Sequence, residues 1–226
     1  MIARSIRAKR VLVFDLDDTL YLERDFAFSG YVHVGDWVQQ QFGAPDFGLH
    51  CRQAFERGER TRIFNHACQA VGLEADPDLI SRLIDVYRNH PPAIDLCADV
   101  ARFFARSSGP FGLVTDGPEQ MQRNKIAALG LEAIIAHICP TGAWPKGYRK
   151  PHPRAYELME QAASGARMVY VADNPAKDFV TPRARGWVTV QINRPGRVHA
   201  PDAPDDLHAA GHVIDSLDDL DAVLAN

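Results

Sequence analysis

Little in this chain is set aside for cross-linking, for metal-binding cysteines or for membranes. Its 226 residues include 4 cysteines, Cys51, Cys68, Cys97 and Cys139, and no two stand in CxxC or CxH spacing. That argues against a disulfide framework and a cysteine zinc site, and for buried thiols in a reducing compartment. The 9 histidines show no HxH or HExxH spacing. No apolar run approaches the roughly eighteen residues of a membrane span. The apolar stretch after the basic opening MIARSIRAKR lasts four residues before Asp15, too short for a signal-peptide core. Positive charge is not in excess either, with 25 Lys and Arg against 29 Asp and Glu, a formal charge of -4 and no basic stripe. Nonspecific nucleic-acid binding usually rests on such a surface. The expectation is a cytoplasmic protein with no nucleic-acid partner and no membrane partner.

What the chain does have is an ordinary globular composition, 46% apolar and 24% charged, and enough length for one full α/β domain plus a smaller module. Three short apolar runs each end abruptly in a polar residue: VLVF in Asp15, FGLV in Thr115 and VYVA in Asp173. Runs of this kind read as buried strands of a parallel sheet, with the polar residues gathered along one sheet edge. Ligands of open α/β folds bind at that edge.

Between the first two runs lies far more chain than one crossover helix requires, and the surplus is about 70 residues. It reads as four helices over 26–42, 46–58, 61–72 and 77–89, separated by Gly43, Pro45, Gly72 and Pro77. The pair Pro91 and Pro92 marks the return to the main domain, and the crossover helix lies in LCADVARFFARS. Strand 111–114, helix 118–129, a loop around 140–150, helix 153–163, strand 168–172, helix 175–185 and strand 187–192 follow. A weak strand HVI and a helix at 216–225 close the chain. This alternation implies a doubly wound parallel sheet. The expected division is a Rossmann-like core of residues 1–22 and 93–226 with a helical module of residues 23–92 inserted.

Asp15 and Asp17, in the segment DLDDTLY, are carboxylates close enough to repel unless a cation intervenes. A divalent ion with hard oxygen ligands resolves that conflict. Mg²⁺ suits the donors, and Asp173 is a natural further ligand. Metal beside carboxylate points to phosphoryl chemistry, in which Asp15 attacks phosphorus and Asp17 serves as acid and then base. Thr115, with neighbouring backbone amides such as that of Asp116, fits the need for donors on the transferred group. A lysine completes the set. Lys146 and Lys150 share one loop, but Lys150 directly precedes PHPRAYELME, where Pro153 can occupy a helix's first turn, and is the better placed.

With these segments in hand, DLDDT, LVTDG, KGYRKPHP and VADNPAKD in that order, the chain resembles a haloacid-dehalogenase-superfamily hydrolase over nearly its whole length. The resemblance implies that Asp15 is nucleophile and metal ligand. Asp17 would be acid/base and give its main-chain carbonyl to Mg²⁺, Thr115 and Lys150 would hold phosphate, and Asp173 would ligate the metal. Asp178 matches the second acid of the last motif, acting through water or by orienting Lys150. Asn174 follows Asp173 where some members have a second acid, which leaves Asp178 and Asn174 as alternatives for the outer partner of the metal. The helical insert is similar to the C1 cap of the superfamily.

Asp18, the third acid of DLDDT, reads as a cap of the following turn. Arg88 and His90, where the insert rejoins the core, and Tyr21, Glu23 and Arg24, where it leaves, read first as hinge packing. The expected function is a Mg²⁺-dependent phosphatase that hydrolyses a small phosphorylated metabolite through an aspartyl-phosphate, as a monomer or homodimer. A phosphomutase of the β-phosphoglucomutase kind is the alternative. A noncatalytic phosphorylatable switch ranks lower, because receiver domains lack both the acid two residues on and the inserted helices. A dehalogenase ranks lower too, because a halide leaves without a proton.

Overall fold

The computed structural model describes residues 10–163 and 165–225. The basic segment 1–9 and Asn226, which belong to the ranges 1–22 and 93–226, lie outside the described residues.

Six strands among the described residues form one parallel sheet: β1 (Arg10–Phe14), β2 (Phe111–Thr115), β3 (His137–Pro140), β4 (Arg167–Ala172), β5 (Val188–Ile192) and β6 (His212–Ile214). Their order is β3-β2-β1-β4-β5-β6. The first strand is therefore central, with β2 and β4 on either side, as a doubly wound sheet requires. Phe14 pairs with Leu113 on one side and Val171 on the other. Asp15, Thr115 and Asp173 consequently reach the same edge.

The sheet separates two apolar layers because side chains alternate along each strand. Phe14, Leu113, Val169 and Val171 pack with α5 (Ala98–Arg106), α6 (Glu119–Ala128) and the C-terminal α9 (Leu220–Ala225). Val13, Val114, Tyr170 and Ala172 pack on the other side with α7 (Arg154–Ala162), Phe179 and Trp187. Burial of this kind contributes about 25 cal/mol per Å² of apolar surface removed from water.

Between β1 and β2 run α1 (Glu23–Phe42), α2 (Phe47–Glu56), α3 (Ile63–Ala70) and α4 (Pro77–Asn89). They surround a third apolar cluster of their own, which includes Tyr31, Val34, Val38, Phe47, Leu79 and Leu83. Ala27, Tyr31, Val34 and Val38 recur at helical spacing, so one face of α1 is buried. Gly43 ends that helix in a left-handed conformation, φ 64°, with its N–H on Gln39 O. Asp76 starts α4 by accepting the Leu79 N–H at 2.8 Å, with Pro77 in the first turn.

The structure differs from the sequence reading in three places. An edge strand that the sequence does not announce, β3, leads into the expected loop around 140–150; its HICP carries no long apolar run and ends in Pro140, tolerated at an edge. Two short 3₁₀ turns follow, Thr141–Ala143 and Lys146–Tyr148. The helix expected over 175–185 is α8 (Val180–Ala184) alone. Asn174 Oδ1 accepts the Ala176 N–H at 3.1 Å and Asp178 Oδ2 accepts the Asn174 N–H at 3.1 Å, so side chains compete with a helical first turn. The last helix is likewise shortened, with a 3₁₀ turn at Leu217–Asp219 ahead of α9.

Candidate active site

Asp15 follows β1, and its N–H continues the ladder to Val171 O at 2.9 Å. The chain then tightens, with Leu20 N on Leu16 O at 3.0 Å, and Asp18 adopts the left-handed conformation at φ 50°. Aspartate tolerates that region. Asp18 Oδ1 accepts the N–H of Glu23, the first residue of α1, at 2.9 Å, and Oδ2 accepts the Val198 N–H at 2.7 Å. It caps the turn, as expected of it, and also ties that turn to the loop after β5.

Lys150 lies at the centre of the acids. Its Nζ is 2.8 Å from Asp15 Oδ1, 2.7 Å from Asp178 Oδ1 and donates to Tyr170 Oη at 3.2 Å. Both lysines of the loop were candidates, and the fold brings Lys150 to Asp15 and leaves Lys146 exposed. Pro153 stands just before α7, at its N-cap, rather than inside its first turn. Burial draws the Lys150 ammonium down, but the Asp15 and Asp178 carboxylates hold it well above the usual lysine range. Burial pushes the Asp15 carboxyl up to about 6, with Lys150 pulling the other way.

Asp15, Asp173 and Asp178 are all buried, and each offers a carboxylate oxygen within 4.8 Å of the others. No histidine joins this group, the one cluster of potential metal ligands found among the described residues. Asp173 Oδ2 is buried with no partner among the described residues. Burial, then the Asp15 and Asp178 charges, pushes the Asp173 carboxyl up to about 9. Three buried acids around one lysine, one with an orphaned oxygen, form a donor set that a hard divalent cation fits. Asn174 turns its side chain to the Ala176 N–H, while its own N–H meets Asp178.

The Asp17 carboxylate is engaged elsewhere. Lys125 Nζ lies 2.6 Å from Oδ1, Tyr21 Oη donates to the same oxygen, and Gln122 Nε2 donates to Oδ2 at 2.9 Å. Burial alone would raise this carboxyl, but the Lys125 charge, with hydrogen bonds from Lys125, Tyr21 and Gln122, holds it below the usual range. Gln122 Nε2 also donates to Thr115 Oγ1 at 2.5 Å. No motif marks Gln122 or Lys125, and Tyr21, which reads as hinge packing from its position, holds the Asp17 carboxylate instead. The signal was there: Gln122 and Lys125 are polar residues on the buried face of α6, beside the apolar Ile126.

Asp116 Oδ1 accepts Thr141 Oγ1 at 2.5 Å and the Lys150 N–H at 3.2 Å. Its side chain thus braces the lysine loop. Burial raises its carboxyl, yet Lys150 and Lys177 bring it below the usual range.

A cavity of about 200 Å³ opens over Asp15, Asp17 and Asp173, with Lys125, Lys177 and Glu23 on its wall. His199, from the loop after β5, also lines it, with Nε2 3.8 Å from Glu23 Oε2. A larger groove of about 570 Å³ beside Phe28, Val32 and Leu49 contains none of the strand-end acids. His90 is buried, with Nδ1 2.6 Å from Tyr87 O, Nε2 3.1 Å from Ser29 Oγ and its ring 4.7 Å from that of Phe26. Hinge packing is its role, as expected.

A family model for hydrolases, described as haloacid dehalogenase-like hydrolase, matches residues 9–181. Among characterised proteins, phosphoserine phosphatase of Thermus thermophilus is 27% identical over 165 residues, 71% of this chain, and the match spans 65% of that relative's length. Glyceraldehyde 3-phosphate phosphatase of Methanocaldococcus jannaschii is 23% identical over an alignment of 244 positions, covering 95% of this chain and 96% of the other. Among solved structures, a putative HAD-hydrolase of Bacillus subtilis bound to magnesium superposes with a TM-score of 0.67 at 18% identity, covering 97% of this chain and 100% of that one. L-2-haloacid dehalogenase of Xanthobacter autotrophicus gives 0.59 at 19% identity, covering 96% and 98%. At these identities the two solved structures speak to the fold.

Proposed function

The chain belongs to the haloacid dehalogenase-like hydrolases, and we propose that within this family it is a Mg²⁺-dependent phosphatase acting on a small phosphorylated metabolite through an aspartyl-phosphate. The observation that carries the reading is the pair of carboxylates at the end of β1 in opposite settings. Asp15 faces Lys150 and the acids Asp173 and Asp178, while Asp17 is held two residues on by Lys125, Tyr21 and Gln122. One carboxylate is set to attack, the other to move a proton.

Asp15 forms the new bond to phosphorus as the bond to the leaving oxygen breaks, and Asp17 delivers its proton to that oxygen. An arriving phosphate anion favours the protonated form of Asp17. In the second half Asp17 takes a proton from water, the water oxygen attacks phosphorus, and the Asp15 carboxylate is released. Lys150 and the Thr115 hydroxyl hold the equatorial oxygens, where charge builds in the transition state. The carboxylates of Asp15 and Asp173, with the Asp17 main-chain carbonyl, would hold Mg²⁺, and Asp178 lies beside them as the residue that orients Lys150. When bound, Mg²⁺ neutralises phosphate oxygens. Helices α1–α4, within residues 23–92, are proposed to act as a cap over residues 10–22 and 93–225.

Two relatives named as phosphatases of three-carbon phosphates support this class of substrate, and so does the modest cavity of about 200 Å³. An acid at Asp17 has no purpose against a halide, which leaves without a proton, so the dehalogenase chemistry of some structural neighbours is disfavoured. The test is phosphate release from a panel of small phosphate esters with Mg²⁺. Turnover is expected for the natural chain and a loss of at least about a hundredfold for Asp15→Asn; undiminished turnover by that variant would sink the mechanism.

A further inference from the structure

We infer that Gln122 is a positioning residue that sets the acid/base Asp17 and the phosphate-binding Thr115 in one register, through a single side-chain nitrogen. The inference rests on the phosphatase reading above. Gln122 Nε2 donates to Asp17 Oδ2 at 2.9 Å and to Thr115 Oγ1 at 2.5 Å. The amide orientation follows from chemistry: before Asp17 takes up a proton both its oxygens only accept, so the group facing it is the NH₂. Both amide hydrogens are then used. Because Thr115 Oγ1 accepts one of them, its own hydrogen is free to point at a phosphoryl oxygen.

Three further observations carry the assignment. Gln122 is fully buried, so its side chain is held by its surroundings. Its Oε1 is buried with no partner among the described residues, a cost of about 1–3 kcal/mol that an apolar residue of the same length would avoid. Stability alone therefore does not favour glutamine here, whereas its two donors do. Gly117 makes room for it: a Cβ at that position would stand 2.9 Å from Gln122 Cδ. The backbone of Gly117, at φ +143°, also lies where other residues are strained.

Lys125, one turn further along α6 and 2.6 Å from the other oxygen, and Tyr21 Oη, which donates to that same oxygen, complete the hold on Asp17. Lysine supplies charge, and glutamine supplies direction. Without Gln122 the carboxylate keeps its ion pair but loses the contact that fixes its plane. Proton delivery to the leaving oxygen then suffers more than attack by Asp15, which loses only the setting of the Thr115 hydroxyl.

The test is the dependence of kcat/KM on the leaving group, measured with Mg²⁺ on alkyl phosphates and on p-nitrophenyl phosphate. The variants are Gln122→Met, of similar length, and the smaller, uncharged Gln122→Leu as a second in case the first fails to fold. An alkoxide needs the proton from Asp17, and a nitrophenolate scarcely does. The inference expects a loss of about 10- to 100-fold on alkyl phosphates, exceeding the loss on the aryl ester by about tenfold or more. A destabilised but otherwise intact site would lose the same factor on both. Equal losses across leaving groups, or none, would overturn the role of Gln122 and leave the phosphatase reading standing. A natural chain that releases no phosphate from any ester would overturn that reading itself.

Discussion

The Lys150 ammonium lies 2.8 Å from the Asp15 carboxylate, and both side chains are buried at the C-terminal edge of the sheet. A second carboxylate, Asp178, holds the same ammonium at 2.7 Å. Breaking a buried pair by removing one member leaves an uncompensated charge, which costs far more than the pair contributes against apolar substitutes.

Lys150→Met is therefore expected to do two things. It should lower phosphate release by at least about a hundredfold, the scale of losing one preorganised charge partner of the transition state. It should also destabilise the metal-free protein by about 3–5 kcal/mol, read from denaturant or thermal unfolding. Lys146→Ala, in the exposed part of the same loop, should leave both within error. A larger loss of turnover in Lys146→Ala would reverse the assignment of the two lysines.

Asp173 gives the opposite sign. Its folded-state carboxyl is pushed up to about 9 from 3.8 by burial and by Asp15 and Asp178. Across that interval folding must take up a proton, so this group makes the metal-free protein less stable as pH rises from about 4 to about 9. Asp173→Asn should raise the Tm of the metal-free protein at pH 8, by about 1 kcal/mol of stability or more, and flatten this part of its pH dependence. Added Mg²⁺ should stabilise the natural chain by mass action and the variant much less. Equal Tm gains from Mg²⁺ in both would remove Asp173 from the metal site.

Outside the cluster of strand-end acids, Asp99 and Arg194 form a buried pair at 2.9 Å, and Asp99 Oδ2 also accepts the Leu217 N–H at 2.7 Å. Arg194 Nε donates to Thr19 O at 2.9 Å, so the pair ties the crossover helix, the nucleophile turn and the C-terminal segment together. Burial raises the Asp99 carboxyl, but the Leu217 N–H and Arg194 bring it below 3.8. A depressed carboxyl contributes stability that is present above the unfolded value and lost as pH falls through the folded one. Unfolding of the natural chain should thus steepen below about pH 4, and Asp99→Asn should weaken that acid limb while costing about 3–5 kcal/mol at pH 7. An unchanged Tm at pH 7 would count against any structural weight of the pair.

Much of this was legible in the chain. VLVF, FGLV and VYVA read as strands because four buried apolar residues ending in a polar one leave few other solutions. Pro77 marked the start of α4 as a helix breaker, and the Asp76 cap came with the structure. β3 was hidden because HICP gains its burial from β2 and not from its own composition. The loss of the first half of the helix expected over 175–185 was hidden as well, since Asn174 and Asp178 had to be seen closing on the backbone.

The sequence by itself determined which acids, which threonine and which strand ends belong together, because motif order and hydrophobic runs are properties of the chain. It also marked Lys150 as better placed than Lys146, by its position before a helix. Only the tertiary structure decided how Asp17 is held. Its partners Tyr21, Gln122 and Lys125 stand on two different elements, and Gln122 is 105 positions away. Their meeting depends on the packing of α6 beneath the turn after β1. Distances of 2.6 and 2.9 Å between such partners are set by that packing and by the bare Gly117 backbone beside it, and no periodicity along the chain encodes them.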